Sequence, residues 1–259
     1  MSGLQPTRAS HPAGAQAIGR AAEVLRAVAA LQRAGAPLAA ITRTTGLSRS
    51  TAFRILRALV EERLLDFDPA QRRYVIGPLA FELGLAAPEG RPDSLWTQRI
   101  EAISRTSGLT AYLVARSGAD VVCLATAQGS SVIRAVPLVV GQRLPLGVGA
   151  GSLAILATLP DDEVNALLSA NAGKIAQIAR GRATPALLRA RIAQARADGH
   201  AFSRDSVAPG VAGVGVVVTR PHEAATYSVS VAAAAELDRA EQLRLAALMR
   251  EVCACSADG

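Results

Sequence analysis

The sequence predicts two domains: an N-terminal winged helix-turn-helix, mainly α with a β-hairpin wing, and a C-terminal α+β domain. Three observations carry this. Short helical patterns meeting at Gly46 are followed directly by a hairpin pattern. A Pro/Gly run, Ala86-Ala87-Pro88-Glu89-Gly90-Arg91-Pro92, then breaks the chain, because it cannot continue a helix. Beyond it, apolar strands and amphipathic helices alternate. The expected boundaries are a disordered tail over 1–16, the winged helix-turn-helix over 17–78, a linker over 79–93 and the larger domain over 94–259.

Composition narrows the class. Of 259 residues, 50% are hydrophobic and 19% charged, which excludes wholesale disorder. No run of about 18 apolar, uncharged residues exists, so no membrane span or membrane partner is expected. Met1 to Ala17 is polar and lacks the apolar core of a signal peptide, which suits a cytoplasmic protein. Cys123, Cys253 and Cys255 are too few for a disulfide scaffold and lack zinc spacing. His11, His200 and His222 are scattered with no nucleophile–base pattern, so neither metal, cofactor nor catalytic residue is expected.

The net charge of +7 points to an anionic partner. Its distribution is more informative than its total. Residues up to Gly90 carry 11 basic and 7 acidic side chains, against 17 and 14 in the longer remainder. From Arg43 to Arg57 there are four Arg and no acid.

Each element follows from local pattern. Ala21, Val24, Leu25, Val28 and Leu31 recur at helical spacing up to Gly35. Pro37 opens a second helix through Leu38 and Ile41, closed by Gly46. Ser48 is placed to cap a third, from Arg49 to about Arg63. Leu64–Phe67 and Arg72–Ile76 flank Asp68-Pro69-Ala70-Gln71 as a hairpin. In the second domain, Thr110–Ala115 and Val121–Ala127 are joined as a hairpin, and Val132–Val139 reads as a third strand. Helices are expected over Ala150–Leu159, from Asp161, over Pro185–Ala197 and over Leu237–Val252; Gly213–Thr219 and Thr226–Ala232 read as paired strands.

The third helix is the most informative. At 100° per residue Ala52, Ile55, Leu56 and Leu59 share one face, and Ser50, Phe53, Arg54 and Arg57 share the opposite one. A helix, a Gly turn and a second helix with hydroxyls at its start and Arg on its open face is the layout of a DNA recognition helix. Ser48 and Arg49 open it. Ser50 and Thr51 sit where backbone N–H groups hold phosphate. Arg54 and Arg57 reach guanine edges or phosphates, and Phe53 a thymine methyl. Arg43 suits phosphate, and Arg72 and Arg73 place charge on the wing. The plainer alternative makes the Arg a solvated face and Phe53 a core residue.

These segments carry a family resemblance. Ile18-Gly19-Arg20-Ala21, Leu38-Ala39-Ala40-Ile41, Thr45-Gly46-Leu47-Ser48-Arg49-Ser50-Thr51-Ala52-Phe53-Arg54-Ile55-Leu56 and Arg73-Tyr74-Val75-Ile76-Gly77-Pro78-Leu79 resemble the IclR-type transcriptional regulators. So do the second-domain stretches Gly141-Gln142-Arg143-Leu144-Pro145-Leu146-Gly147-Val148-Gly149-Ala150-Gly151-Ser152-Leu153-Ala154 and Pro209-Gly210-Val211.

The resemblance implies a GAF-like effector-binding C-terminal domain that also assembles dimers or tetramers. It implies double-stranded DNA with a palindromic operator, a small-molecule effector such as an organic or aromatic acid, and a second copy of the chain as partners. Carried over, the family's pocket selects Gly147, Val148, Gly149, Ala150, Asp205, Ser206 and Ser228 or Ser230. The chemistry agrees: a Gly loop entering a helix exposes N–H groups at a positive dipole end, and strand serines add directed hydrogen bonds. The plainer alternative has the glycines permit close packing and the serines satisfied locally. Many relatives carry Glu where Ser206 falls, and here Asp205 is the only acid nearby.

The rival reading is an enzyme holding a nucleotide or flavin through Gly147–Ser152. That run lacks the last Gly of G-x-G-x-x-G, since position 152 is Ser, and Asp161-Asp162-Glu163 opens a helix instead of ending a strand.

Overall fold

The computed structural model describes residues 15–31, 35–86, 94–130, 138–218, 226–234 and 236–254. Most of the tail expected over 1–16, the Pro/Gly run after Ala86 and most of the strand expected over Val132–Val139 lie outside the described residues. The chain forms two compact units, Met1–Gly90 and Arg91–Gly259.

In the first unit, α1 (Gln16–Ala29), α2 (Leu38–Thr45) and α3 (Arg49–Glu61) pack around Val24, Val28, Ile41, Ala52 and Leu56, all at most 1% exposed. Gly46 ends α2 in the left-handed region at φ 67°, where a residue with a Cβ is strained. The Ser48 hydroxyl accepts from the Thr51 N–H at 3.3 Å and so caps α3. Strands β1 (Leu65–Asp68) and β2 (Arg73–Ile76) pair antiparallel as the wing. An Asp68 carboxylate oxygen accepts from the Ala70 and Gln71 N–H groups and turns the tip. Ala36 exchanges backbone hydrogen bonds with Tyr74 at 2.8 and 2.9 Å, tying the wing to the start of α2. Helix α4 (Pro78–Ala86) follows, so the segment expected as a linker begins helical.

Among the described residues the second unit is built on a six-stranded antiparallel sheet in the order β5-β4-β3-β8-β7-β6. Its strands are β3 (Thr110–Ser117), β4 (Asp120–Ala127), β5 (Arg143–Pro145), β6 (Ala201–Arg204), β7 (Ala212–Val218) and β8 (Tyr227–Ala233). Helices α5 (Ser94–Ser107) and α9 (Arg239–Ala254) cover one face; α6 (Ala150–Ala157), α7 (Asp161–Ala179) and α8 (Pro185–Asp198) cover the other. Strand alternation sorts the side chains. Leu113, Val214, Val216, Val229 and Val231 meet α5 and α9, whereas Tyr112, Val114, Val121 and Cys123 meet the α6 side.

On the α6 side β7 and β8 turn small residues outward, and this lets α6 lie against the sheet. A Cβ on Gly215 would stand 2.7 Å from the Ala150 carbonyl oxygen, closer than such atoms approach. Every residue of α6 from Ala150 to Leu156 is consequently buried. Full burial of a side chain such as Leu153 or Ile155 stabilises the domain by about 1.5–3 kcal/mol.

Candidate functional site

Two regions gather the residues singled out by sequence. The first is the outer face of α3. Ala52, Leu56 and Leu59 are buried inward, while Ser50, Phe53, Arg54 and Arg57 are exposed. Phe53 leaves 52% of its surface in solvent, so the core alternative for this ring does not hold. Arg43 and Arg49 are exposed on α2 and α3. Among the described residues, Arg43, Arg49, Arg54 and Arg72 have no ion-pair partner. Arg57 differs: its Nε donates to Glu61 at 2.8 Å, an exposed pair one turn apart. The hydroxyls of Ser50 and Thr51 lie 3.2 and 2.9 Å from that of Ser48, so the three share one capping cluster.

The wing separates its two arginines. Arg72 is exposed at the tip with φ 53°, while Arg73 is half-buried and donates to the Gly35 carbonyl at 3.3 Å. Between α3 and the wing lies an open cleft of about 880 Å³, lined by Pro37, Arg49, Ser50, Phe53, Phe67, Arg72 and others. Phe67, which sequence reading passed over, is 38% exposed there, with its ring 4.8 Å from that of Tyr74. Its place in a hairpin strand opposite α3 was the available signal.

The second region is a cavity of about 70 Å³ between α6 and the sheet. Its walls are Val114, Leu144, Val148, Val207 and similar apolar groups, with Tyr112, Ser152, Ser203 and Ser230 as the polar side chains and no charged one among the described residues. Of the residues the resemblance selected, Val148, Gly149, Ala150 and Ser230 line it. Gly149 is the N-cap of α6 at φ 83°, and no side chain caps that end. The other expected residues lie elsewhere. Gly147 faces Ile175 and Leu168 beneath the loop. Ser228 is fully buried and donates to the Gly151 carbonyl at 2.9 Å, so it docks α6 on β8. An Asp205 carboxylate oxygen accepts from Gly210 N–H, and Ser206 accepts from Arg191 Nη1 at 2.9 Å. Neither lines the cavity.

Tyr112, Ser152 and Ser203 were missed by sequence, though strand alternation marks Tyr112 and Ser203 as facing α6. Ser152 Oγ accepts from Gly147 N–H at 3.0 Å and donates to the Val148 carbonyl at 2.9 Å, which fixes the loop. Asn171, buried on α7, donates to the carbonyls of Ala119 and Leu146 and holds the same loop from below. Burial raises the Tyr112 phenol above its ordinary value, opposed by a hydrogen bond to the Leu138 backbone, so the ring enters the cavity as a neutral donor. Burial pushes the Cys123 thiol up to about 12, so at neutral pH it is an apolar filler and no nucleophile.

The Gly147–Ser152 loop leaves β5, an edge strand of an antiparallel sheet. A dinucleotide fingerprint needs a central parallel strand there, so the nucleotide alternative lacks its scaffold.

Comparison with known proteins places both regions. Residues 94–258 match the family described as bacterial transcriptional regulator IclR C-terminal, and residues 17–69 match the IclR helix-turn-helix domain. An HTH-type transcriptional regulator of Mycobacterium tuberculosis is 34% identical over 208 residues, covering 79% of this chain and 77% of the relative. A putative IclR regulator structure from a Silicibacter species superposes with a TM-score of 0.75 at 22% identity, covering 92% of this chain and 93% of that one. An IclR homologue from Microbacterium hydrocarbonoxydans, solved with 4-hydroxybenzoate, gives a TM-score of 0.67 at 17% identity, covering 92% and 98%. These families and relatives are transcriptional regulators, not enzymes.

Proposed function

Because this chain belongs to the IclR family of bacterial transcriptional regulators, with a helix-turn-helix and an effector-binding C-terminal domain, we propose how it reads DNA and what it senses. A homodimer, or a tetramer built from two, places a copy of α3 in the major groove of each half of a palindromic operator in the cytoplasm. Arg54, Arg57, Ser50 and Phe53 meet base edges. Arg43, Arg49, Arg72 and the capping cluster of Ser48 and Thr51 meet the phosphate backbone. Arg57 first gives up Glu61, and Arg73 serves by holding the wing against Gly35. Residues 17–78 form the DNA-reading part, 79–93 the connection and 94–259 the sensing part.

The observation that carries this reading is the division of α3 into a fully buried stripe and an exposed stripe that is basic and aromatic over its first nine residues. Gel-shift titration on the DNA upstream of the chain's own coding sequence tests it. Arg54→Ala with Arg57→Ala is expected to reduce specific binding to the non-specific level; unchanged binding would refute it.

The effector is a small organic acid, aromatic acids included. The uncapped N-terminus of α6 carries roughly half a positive charge and borders the cavity at Gly149 and Ala150. Hydroxyls of Ser230, Ser203 and Tyr112 supply the directed bonds, and the apolar walls take a ring or chain. The 4-hydroxybenzoate of the Microbacterium homologue is a molecule of this class. At about 70 Å³ the cavity holds roughly two waters' worth of volume, so an effector larger than that requires its walls to open. Effector binding then shifts the balance between operator-competent and incompetent forms. A melting screen of small acids checks this: at 100 times its Kd an effector stabilises the domain by about 2.7 kcal/mol. No shift with any acid, alongside shifts with neutral molecules, would overturn the acid assignment.

A further inference from the structure

An aromatic ring half in water at the centre of a DNA-reading face needs a partner. Around α3, at 100° per residue, Phe53 falls between Arg49 and Arg57. It opens into the same cleft as Phe67 of the wing. The rim of that cleft is cationic: Arg49 on α3 and Arg72 at the wing tip are both exposed, with no ion-pair partner among the described residues. The start of α2 adds to it, since Pro37 and Leu38 line the cleft and no side chain caps the helix there. An apolar floor with a positive rim matches one strand of DNA, which alternates phosphates with sugar and base.

A phenyl ring has no hydrogen-bonding group, so it cannot read the donors and acceptors of a base edge. The apolar group that a base edge offers in the major groove is the C5 methyl of thymine. The geometry points to a thymidine seat: Phe53 reads the 5-methyl of one thymine in each half-site, and Phe67 packs on the sugar of the same strand. Arg49 and Arg72 hold its flanking phosphates. This rests on the DNA reading proposed above and adds base identity to it. A 5-methylcytosine carries its methyl on the same ring carbon, so the seat accepts it too.

The test uses the full chain and an operator selected by it from a random-sequence duplex pool. Each thymine in the footprint is replaced in turn by deoxyuridine, which lacks only the methyl, and affinities are compared by competition gel shift. One position per half-site is expected to weaken binding about four-fold, the worth of burying one methyl. A 5-methylcytosine at that position binds more tightly than cytosine. Phe53→Ala equalises thymine and uracil, whereas Phe67→Ala weakens both duplexes alike. Specific binding with no methyl-sensitive position, or a thymine preference that survives Phe53→Ala, overturns the inference while leaving the regulator reading intact. Failure of the pool to yield any preferred sequence overturns both. Were Phe67→Ala to unfold the wing by losing Tyr74, the ratio measured with Phe53→Ala alone decides.

Discussion

Helices α3 and α6 make opposite use of the same polarity. The start of α3 is capped by the Ser48 hydroxyl and one side faces solvent, whereas α6 begins at Gly149 without a side-chain cap and is buried from Ala150 to Leu156. One helix therefore displays side chains to solvent, and the other directs its bare backbone end into a small cavity. A surface helix tolerates changes on its open face at little cost in stability; an enclosed helix has no spare face. Substitutions should separate along that line.

The largest effect is expected at the α6–sheet contact. Gly215→Val places a Cβ 2.7 Å from the Ala150 carbonyl oxygen and pushes α6 off β7. A loss of about 3 kcal/mol is expected, read by urea unfolding. On α3, Arg54→Ala should leave stability within about 0.5 kcal/mol yet weaken operator binding by about 1–3 kcal/mol. If Arg54 meets phosphate instead, the binding loss is uniform across sequences and the salt slope falls by about one unit.

How legible each helix was follows from the same contrast. The α3 faces alternate at helical period, so its cap, core stripe and exposed basic face are legible in the sequence, as are the hairpin wing and the pairing of β7 with β8. Helix α6 is, Ser152 apart, made of apolar and small residues on every side and offers no period that marks a wall of the cavity. Only its glycine loop and the family resemblance pointed there. The serines of β8 show the limit: Ser228 and Ser230 look alike in sequence, but the approach of α6 makes one a docking bond to Gly151 and leaves the other on the cavity wall. The short strands β5 and β6 leave no mark in the sequence because three or four residues carry too little period, and the apolar stripe of α5, Trp96, Ile100 and Ile103, gains its meaning only from its contact with α9.

That distinction yields the next expectation. Ser228→Ala removes a buried donor from the Gly151 carbonyl and should cost about 1 kcal/mol of stability while sparing effector affinity. Ser230→Ala should do the reverse, weakening the effector with little change in unfolding, as isothermal titration and urea melts would show. Ser48→Ala uncaps α3 and should cost about 1 kcal/mol in the first domain. The smallest effect belongs to Glu61→Gln. It frees Arg57, changes stability by no more than about 0.5 kcal/mol, and raises operator affinity if Arg57 reads DNA.

The most direct test is one fluorescence anisotropy titration of the selected operator by the full chain, with and without the acid that gives the largest melting shift. Operator affinity should change at least about five-fold on adding the acid, the lower end of typical allosteric coupling. That change should disappear in Ser230→Ala, while the acid-free affinity stays at the wild-type value. An operator affinity that the acid leaves untouched, or a coupling that persists at full strength in Ser230→Ala, would contradict the assignment of the α6 cavity as the sensor of a DNA-reading protein.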